Sequence, residues 1–139
     1  MAAAVVGPIS ALEQGLDAHD RARVRAVLAD DFVGHDHRLA GLGRIDGADA
    51  YVESAAVLWD LAPDIRFEVP FRLALERYGV VSVSRSFGTL REGGGAFESF
   101  RAYVSMVERG RVTRLEGFEI EDVDAALARF AELRPQSGR

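Results

Sequence analysis

Residues 65–89 read IRFEVPFRLALERYGVVSVSRSFGT, and their period decides the fold. Ile65, Phe67, Val69, Phe71, Leu73 and Leu75 alternate with Arg66, Glu68, Arg72 and Ala74. That spacing predicts a strand with one apolar and one polar face. Pro70 interrupts the run and marks a bulge or an edge position, because proline cannot donate to a ladder. Tyr78 and Gly79 turn the chain into a second strand, VVSVSRSFGTL. The pattern continues through REGGG as a turn, AFESFRAYVSMV as a strand, ERG as a turn and RVTRLEGFEI as a strand.

Helical periods flank this meander. After it, EDVDAALARFAEL starts on acids and carries Val123, Leu127, Phe130 and Leu133 on one stripe. Before it, residues Ala48 to Leu61 place Val52, Ala55, Ala56 and Trp59 on one side and stop ahead of Pro63. Further upstream, Pro8 opens a helix with Ile9, Leu12 and Leu16 at helical spacing. Asp20 caps a second short helix striped by Val24, Val27 and Leu28. Between these, DDFVGHDHR reads as a short strand and LAGLGRIDG as a loop. Helices segregated from an antiparallel meander predict an α+β fold with one sheet face covered. A strongly bent sheet wrapped on the long third helix would enclose a conical cavity.

The bulk numbers agree with one domain. The chain has 139 residues, enough to bury a core without staples, with an ordered part expected from about 8 to 134 and frayed tails. A net charge of −5 argues against a nucleic-acid partner, which needs a basic face. Cysteine is absent, which removes disulfides, thiolate metal sites and a cysteine nucleophile. All 17 basic residues are arginine, so a lysine Schiff base is excluded. No run approaches the ~18 apolar residues of a membrane span. MAAAVVGPIS has no positive n-region, so a cytoplasmic setting is expected.

Chemistry concentrates at residues 30–38. Alternation puts Phe32, Gly34, Asp36 and Arg38 on one face, with Val33, His35 and His37 on the other. If Phe32 faces the cavity, Asp36 and Arg38 share it, either as a base with an anion stabiliser or as a structural ion pair at the mouth. His37 stands where the strand gives out and is a possible proton shuttle. His35 and His37 have a strand spacing that suits a metal, but no third ligand is identifiable, so neither metal nor cofactor is expected. Arg85 falls in a row with Val81, Val83 and Phe87, where a buried lone charge would need a partner. Glu98 alternates with Phe100, Ala102 and Val104 and is a further candidate to face inward. Trp59, Phe71 and Phe100 are expected as apolar wall, and Tyr51 and Tyr103 as hydrogen-bond donors of undetermined direction. REGGG is no phosphate loop, since no helix follows it.

The layout, with LADDFVGHD, IDGADAYV and VERGRVTRLEGFE as its most specific pieces, resembles the nuclear transport factor 2-like superfamily, in its SnoaL-like and ketosteroid isomerase-like branches. The resemblance implies a cone-shaped half-barrel around three N-terminal helices, a C-terminal helix and a homodimer. In ketosteroid isomerases a general-base aspartate lies five residues after another acid. Asp31 and Asp36 match that spacing, whereas the two oxyanion-donor positions hold Leu12 and Ala102. The limonene epoxide hydrolase pattern finds an arginine at Arg85 but no companion acid in Ser86, Phe87 or Gly88. SnoaL-like cyclases place an acid near the end of the last strand, where Glu116 and Glu119 stand. The implied function is cofactor-independent isomerisation, cyclisation or dehydration of a hydrophobic carbonyl-bearing or polyketide-like molecule. Asp36, Arg38, Arg85, His37 and Glu119 are the reactive candidates, and Tyr51, Trp59, Phe71, Phe100 and Glu98 the binding ones. A non-catalytic binding or dimerisation module of the same shape is the alternative.

Overall fold

The computed structural model describes residues 2–38 and 43–135, and within them the predicted order holds with two additions. Helix α1 (Ala2–Asp17) and helix α2 (Arg21–Val27) precede strand β1 (Leu28–Asp36). Strand β2 (Gly43–Asp46) and helix α3 (Ala48–Leu61) follow. Then come strands β3 (Arg66–Glu76), β4 (Gly79–Thr89), β5 (Ala96–Glu108) and β6 (Arg111–Glu119), a single 3-10 turn (Ile120–Asp122) and helix α4 (Val123–Glu132). No helix among the described residues is long and apolar enough to cross a membrane.

Helix α1 begins well before Pro8, which lies inside it. Proline removes one backbone hydrogen bond there, yet Val5, Ile9 and Leu12 continue one buried stripe across it, and their burial outweighs the lost bond. Asp20 caps α2 as its sequence position predicts, its carboxylate accepting from Arg23 N at 3.1 Å. Strand β2 lies in the stretch read as a loop. It is four residues long and pairs antiparallel with β1, Val33 opposite Asp46 and His35 opposite Arg44, too short for its period to signal itself. Residues 39–42 of that stretch lie outside the described residues.

The six strands form one sheet in the order β2-β1-β6-β5-β4-β3, antiparallel except where β1 runs parallel to β6. The β5–β6 hairpin closes on Arg109 and Gly110, both at positive φ, the conformation a two-residue turn needs to match strand twist. On the inner face α1, α2 and α3 bury Ile9, Val24, Phe32, Trp59, Ile65 and Val80. A second core lies on the other face, where α4 sets Ala126 and Phe130 against Val81, Ala102, Val104 and Phe118. Both sheet faces therefore bury apolar side chains, whereas the sequence led us to expect helices on one.

Strand β3 departs from the one-sided strand expected. The ladder with β4 slips between Glu68 and Phe71, at Pro70, and again between Arg72 and Ala74. A slip of one residue exchanges the faces. Phe67 and Val69 consequently line the interior, while Phe71 turns outward and is 61% exposed. Arg72 turns inward, donating to Ser82 Oγ at 3.0 Å and clamping Glu13 of α1 at 2.8 and 2.9 Å. As the edge strand, β3 can also accommodate the missing proline N–H.

Glu116 ties β1, β6 and α4 together on the outer face. Its side chain is fully buried and accepts from Arg129 Nε at 2.9 Å, Arg129 Nη2 at 3.1 Å and Arg114 Nη1 at 2.8 Å. His37 Nε2 lies 2.6 Å from its Oε1. Burial works to raise this carboxyl, but the bonds from Arg129, His37 and Arg114 win, and its pKa drops from an ordinary 4.5 to about 2. A depressed carboxyl stabilises the fold fully above pH 4.5 and loses that contribution as pH falls towards 2. The window corresponds to about 3 kcal/mol. Glu116→Gln should cost about 3 kcal/mol at neutral pH by leaving two guanidinium groups short of a partner. In urea titrations from pH 7 down to 2 it should also flatten the acid limb. Parallel acid limbs in wild type and variant would show that another group governs that limb.

Candidate active site

The inner face of the sheet and helices α1 and α3 enclose a cavity of about 400 Å³. Ile9, Leu12 and Leu16 of α1 and Leu58 and Trp59 of α3 make it largely apolar. The polar groups arrive on the strands at alternate positions: Ser82, Ser84 and Ser86 from β4, Arg101, Tyr103 and Ser105 from β5, and Asp36 from β1. A largely apolar chamber with a few convergent polar groups is the usual form of a small-molecule site.

Asp36 and Arg38 both line it and face each other across a fork. Arg38 Nε reaches Asp36 Oδ1 at 2.9 Å and Nη2 reaches Oδ2 at 2.7 Å, while the Arg38 N–H adds a third bond to Oδ1 at 3.1 Å. Each side chain is 20% exposed. The hydrogen bond to Asp36 raises the already high pKa of Arg38 against the opposing effect of burial, with smaller pulls from Asp36, Tyr103 and Glu119. The planar guanidinium fork matches the two carboxylate oxygens and holds the Asp36 side chain in place at the cavity wall.

On the same sheet face, Tyr103 of β5 lies over Gly117 of β6, whose partner on β1 is Asp36. Gly117 makes this possible, since a Cβ there would stand 2.9 Å from Tyr103 Cε1. The Tyr103 hydroxyl is 3.4 Å from Arg101 Nη1. Tyr51 of α3 stands edge-on to Phe32 with ring centroids 5.0 Å apart. Burial, reinforced by Tyr103, raises the Tyr51 phenol above its ordinary range, so it remains a neutral donor. Two polar atoms are buried without a hydrogen-bond partner among the described residues, Trp59 Nε1 and Arg101 Nε.

Of the residues singled out from the sequence, the structure brings Asp36, Arg38, Tyr51, Trp59, Tyr103 and His35 to this cavity. Glu119 ends β6 opposite Arg101 and is felt electrostatically by Arg38, but does not line the chamber. The others lie on the opposite face. Arg85 bonds Glu98 Oε2 at 2.5 Å and Glu68 Oε1 at 2.9 Å, with its guanidinium 3.8 Å above the Phe87 ring. Phe100 is cross-strand to Arg85 and 40% exposed, on the same face as outward-facing Phe71. The expectation that Arg85, in its row with Val81, Val83 and Phe87, serves the cavity together with Glu98 and Phe100 is thus corrected. That row is apolar because the outer core takes its Val81 end, while the serine row faces a chamber where hydroxyls can find partners.

His37 is also outside the cavity, stacked on Phe118 and His35 at 4.4 and 3.9 Å between centroids. Its neighbourhood supplies the third donor missing from the sequence reading, since ligand atoms of His35, His37 and Glu116 lie within 4.8 Å of one another. Arg114 and Arg129 already occupy the oxygens of Glu116, so a cation would have to displace guanidinium groups. Ala102, aligned with an oxyanion-donor position, packs in the outer core, and its neighbours Arg101 and Tyr103 carry donors inward instead. Arg101 was missed entirely. Its signal was the polar row Arg101–Tyr103–Ser105, in register with Ser84 and Ser82 of β4.

No protein-family model matches the sequence, and no curated protein matches it. Solved structures do match in fold. A ketosteroid isomerase-like protein from Catenulispora acidiphila DSM 44928, in complex with trimethylamine, superposes with a TM-score of 0.71 at 12% identity, over 94% of this chain and 99% of that one. A candidate SnoaL-like polyketide cyclase from Jannaschia sp. CCS1 gives 0.70 at 18% identity, over 94% and 92%. An epoxide hydrolase of M. tuberculosis similar to limonene epoxide hydrolase gives 0.69 at 18% identity, over 94% and 89%. The chain has the nuclear transport factor 2-like fold, a curved sheet closed on helices into a cone, and shares it with SnoaL-like and ketosteroid isomerase-like proteins.

Gly117→Ala should swing the Tyr103 ring out of its seat and its hydroxyl away from Arg101. The flexible ring can yield, so the stability cost should be near the low end for overpacking, about 1 kcal/mol. Urea unfolding and the Tyr103 ring resonances read both effects, and unchanged ring shifts would contradict the seat described.

Proposed function

We propose that this chain is a cofactor-independent enzyme that moves a proton on a hydrophobic, carbonyl-bearing small molecule of polycyclic or polyketide-like type. The single observation that carries the reading is the Asp36 carboxylate, gripped by Arg38 in the wall of a largely apolar cavity of about 400 Å³. Isomerisation, cyclisation and dehydration of such molecules share a first step. The C–H bond next to the carbonyl breaks, the proton passes to the Asp36 carboxylate, and the electron pair moves onto the carbonyl oxygen. Guanidinium charge stabilises the resulting enolate, which is where preorganised electrostatics contributes most. Glu119, which ends β6 opposite Arg101, is the second proton carrier of this proposal. Arg85 and His37 have no part in it, because their side chains lie on the far face.

The shared fold with a candidate polyketide cyclase supports the reading. So does TerC, co-crystallised with polyporic acid, which has a TM-score of 0.71 at 16% identity over 89% of this chain. A second reading, a small-molecule-binding module, is favoured by the bidentate grip on Asp36 and by Leu115 and Gly117 facing the cavity from β6 instead of an acid. Hydrogen–deuterium exchange at the α-carbon of 2-tetralone in D2O separates the two. Wild type should accelerate exchange, and Asp36→Asn, still folded by circular dichroism, should lose it about a hundredfold or more. Equal rates with and without wild-type protein would leave only the binding module.

The proposal includes a homodimer formed through the outer face, where Phe71 and Phe100 are exposed beyond the reach of α4. Sedimentation velocity should show a dimer for wild type and a monomer for Phe100→Asp. A monomeric wild type would refute it.

A further inference from the structure

Among the described residues, the charges lining the cavity balance in pairs with one exception. Asp36 is held by Arg38, Glu13 by Arg72, and Glu68 by Arg85. Arg101 lines the same chamber and has no carboxylate within 4.0 Å among the described residues. Glu119 stands opposite it on the ladder and forms no such pair with it. The Arg101 Nε atom is fully buried and meets no acceptor, and among the described residues the side chain makes one hydrogen bond, from Nη1 to the Tyr103 hydroxyl. A guanidinium with a desolvated, unpartnered N–H is costly, and its cost falls when an oxyanion arrives. Because Tyr103 oxygen accepts from Arg101, its own O–H proton is free to donate to that same oxyanion.

We propose that Arg101 and Tyr103 form an anion subsite, and that the ligand of this cavity is an aromatic or polycyclic carboxylate. The inference rests on the reading of the cavity as a small-molecule site and adds the ligand's charge. A carboxylate suits the subsite because its two oxygens match the planar guanidinium fork, which a single carbonyl oxygen does not. Apolar helix residues face the rest of the ligand, so selection is for one charged end on a greasy body. Arg101 is thereby a specificity-determining residue. It stands on β5, separated from the Asp36 strand by β6 alone, so the bound acid lies beside the Asp36–Arg38 fork on the same sheet face.

Two isosteric probes test this, 2-naphthoate and its neutral analogue 2-acetonaphthone, with affinities from isothermal titration calorimetry or ligand-observed NMR. Wild type should bind naphthoate at least tenfold more tightly than the ketone. Arg101→Gln should abolish that preference while leaving ketone affinity within about twofold, and Arg101→Lys should restore part of it, since charge is kept and the fork lost. The wild-type ratio stands without any variant, so a misfolded variant does not blunt the test. Equal affinity of the two probes for wild type overturns the subsite, as does naphthoate preference that survives Arg101→Gln, which would assign it to Arg38. Asp36→Asn should keep the naphthoate preference while losing tetralone exchange. Absence of exchange with the preference intact removes the catalytic reading alone, and exchange without the preference removes the anion subsite alone.

Discussion

The six-stranded sheet has two faces, and both must leave water. The inner face closes on α1 and α3 around a chamber, and the outer face takes α4. Each strand therefore carries two rows of side chains with different duties. On β4 the even row, Ser82, Ser84 and Ser86, goes to the chamber, and the odd row from Val81 to Phe87 goes outward. Pairing register then forces β5 and β6 to follow, which is what delivers Arg101, Tyr103 and Gly117 to one interior. Pro70 exploits the same rule in reverse. By slipping the β3 register it brings Arg72 inward to hold α1 through Glu13, and sends Phe71 out.

The two faces use charge differently. On the outer face Glu116 is fully buried and saturated, accepting from Arg114 and Arg129 with His37 against it. Such a group fixes the relation of β1, β6 and α4 and offers nothing to a ligand. Inside, the ionic groups are fewer and less completely satisfied. Asp36 shares a fork with Arg38 yet remains at the chamber wall, and Arg101 keeps a buried N–H without an acceptor. Strain of this kind, tolerated beside a cavity and absent from the outer core, is where local rules are expected to give way to function.

Helix α3 was legible to its ends, and the Asp20 cap, the turns and the four long strands fell within a residue or so of the reading, because each is governed by local periodicity and turn chemistry. Strand β2 escaped because four residues after a glycine-rich stretch have no period to read. The cavity assignments divided cleanly. Asp36 and Arg38 could be placed together because Phe32, on the same row of β1, is a large apolar residue that had to enter the core. Arg85, Glu98 and Phe100 could not, because their rows are apolar enough to suit either face.

What the amino-acid order by itself determined is therefore most of the elements, their α+β arrangement and the shared face of Asp36 and Arg38, two positions later. Which row of β4 and β5 faces the chamber was decided only by the tertiary structure, and with it the inward aim of Arg101 and the exile of Arg85 and His37. The physical reason is that alternation distinguishes two faces without naming them. Only the seating of α4 on one side and of α1 and α3 on the other breaks that symmetry, and it depends on contacts far apart in the chain.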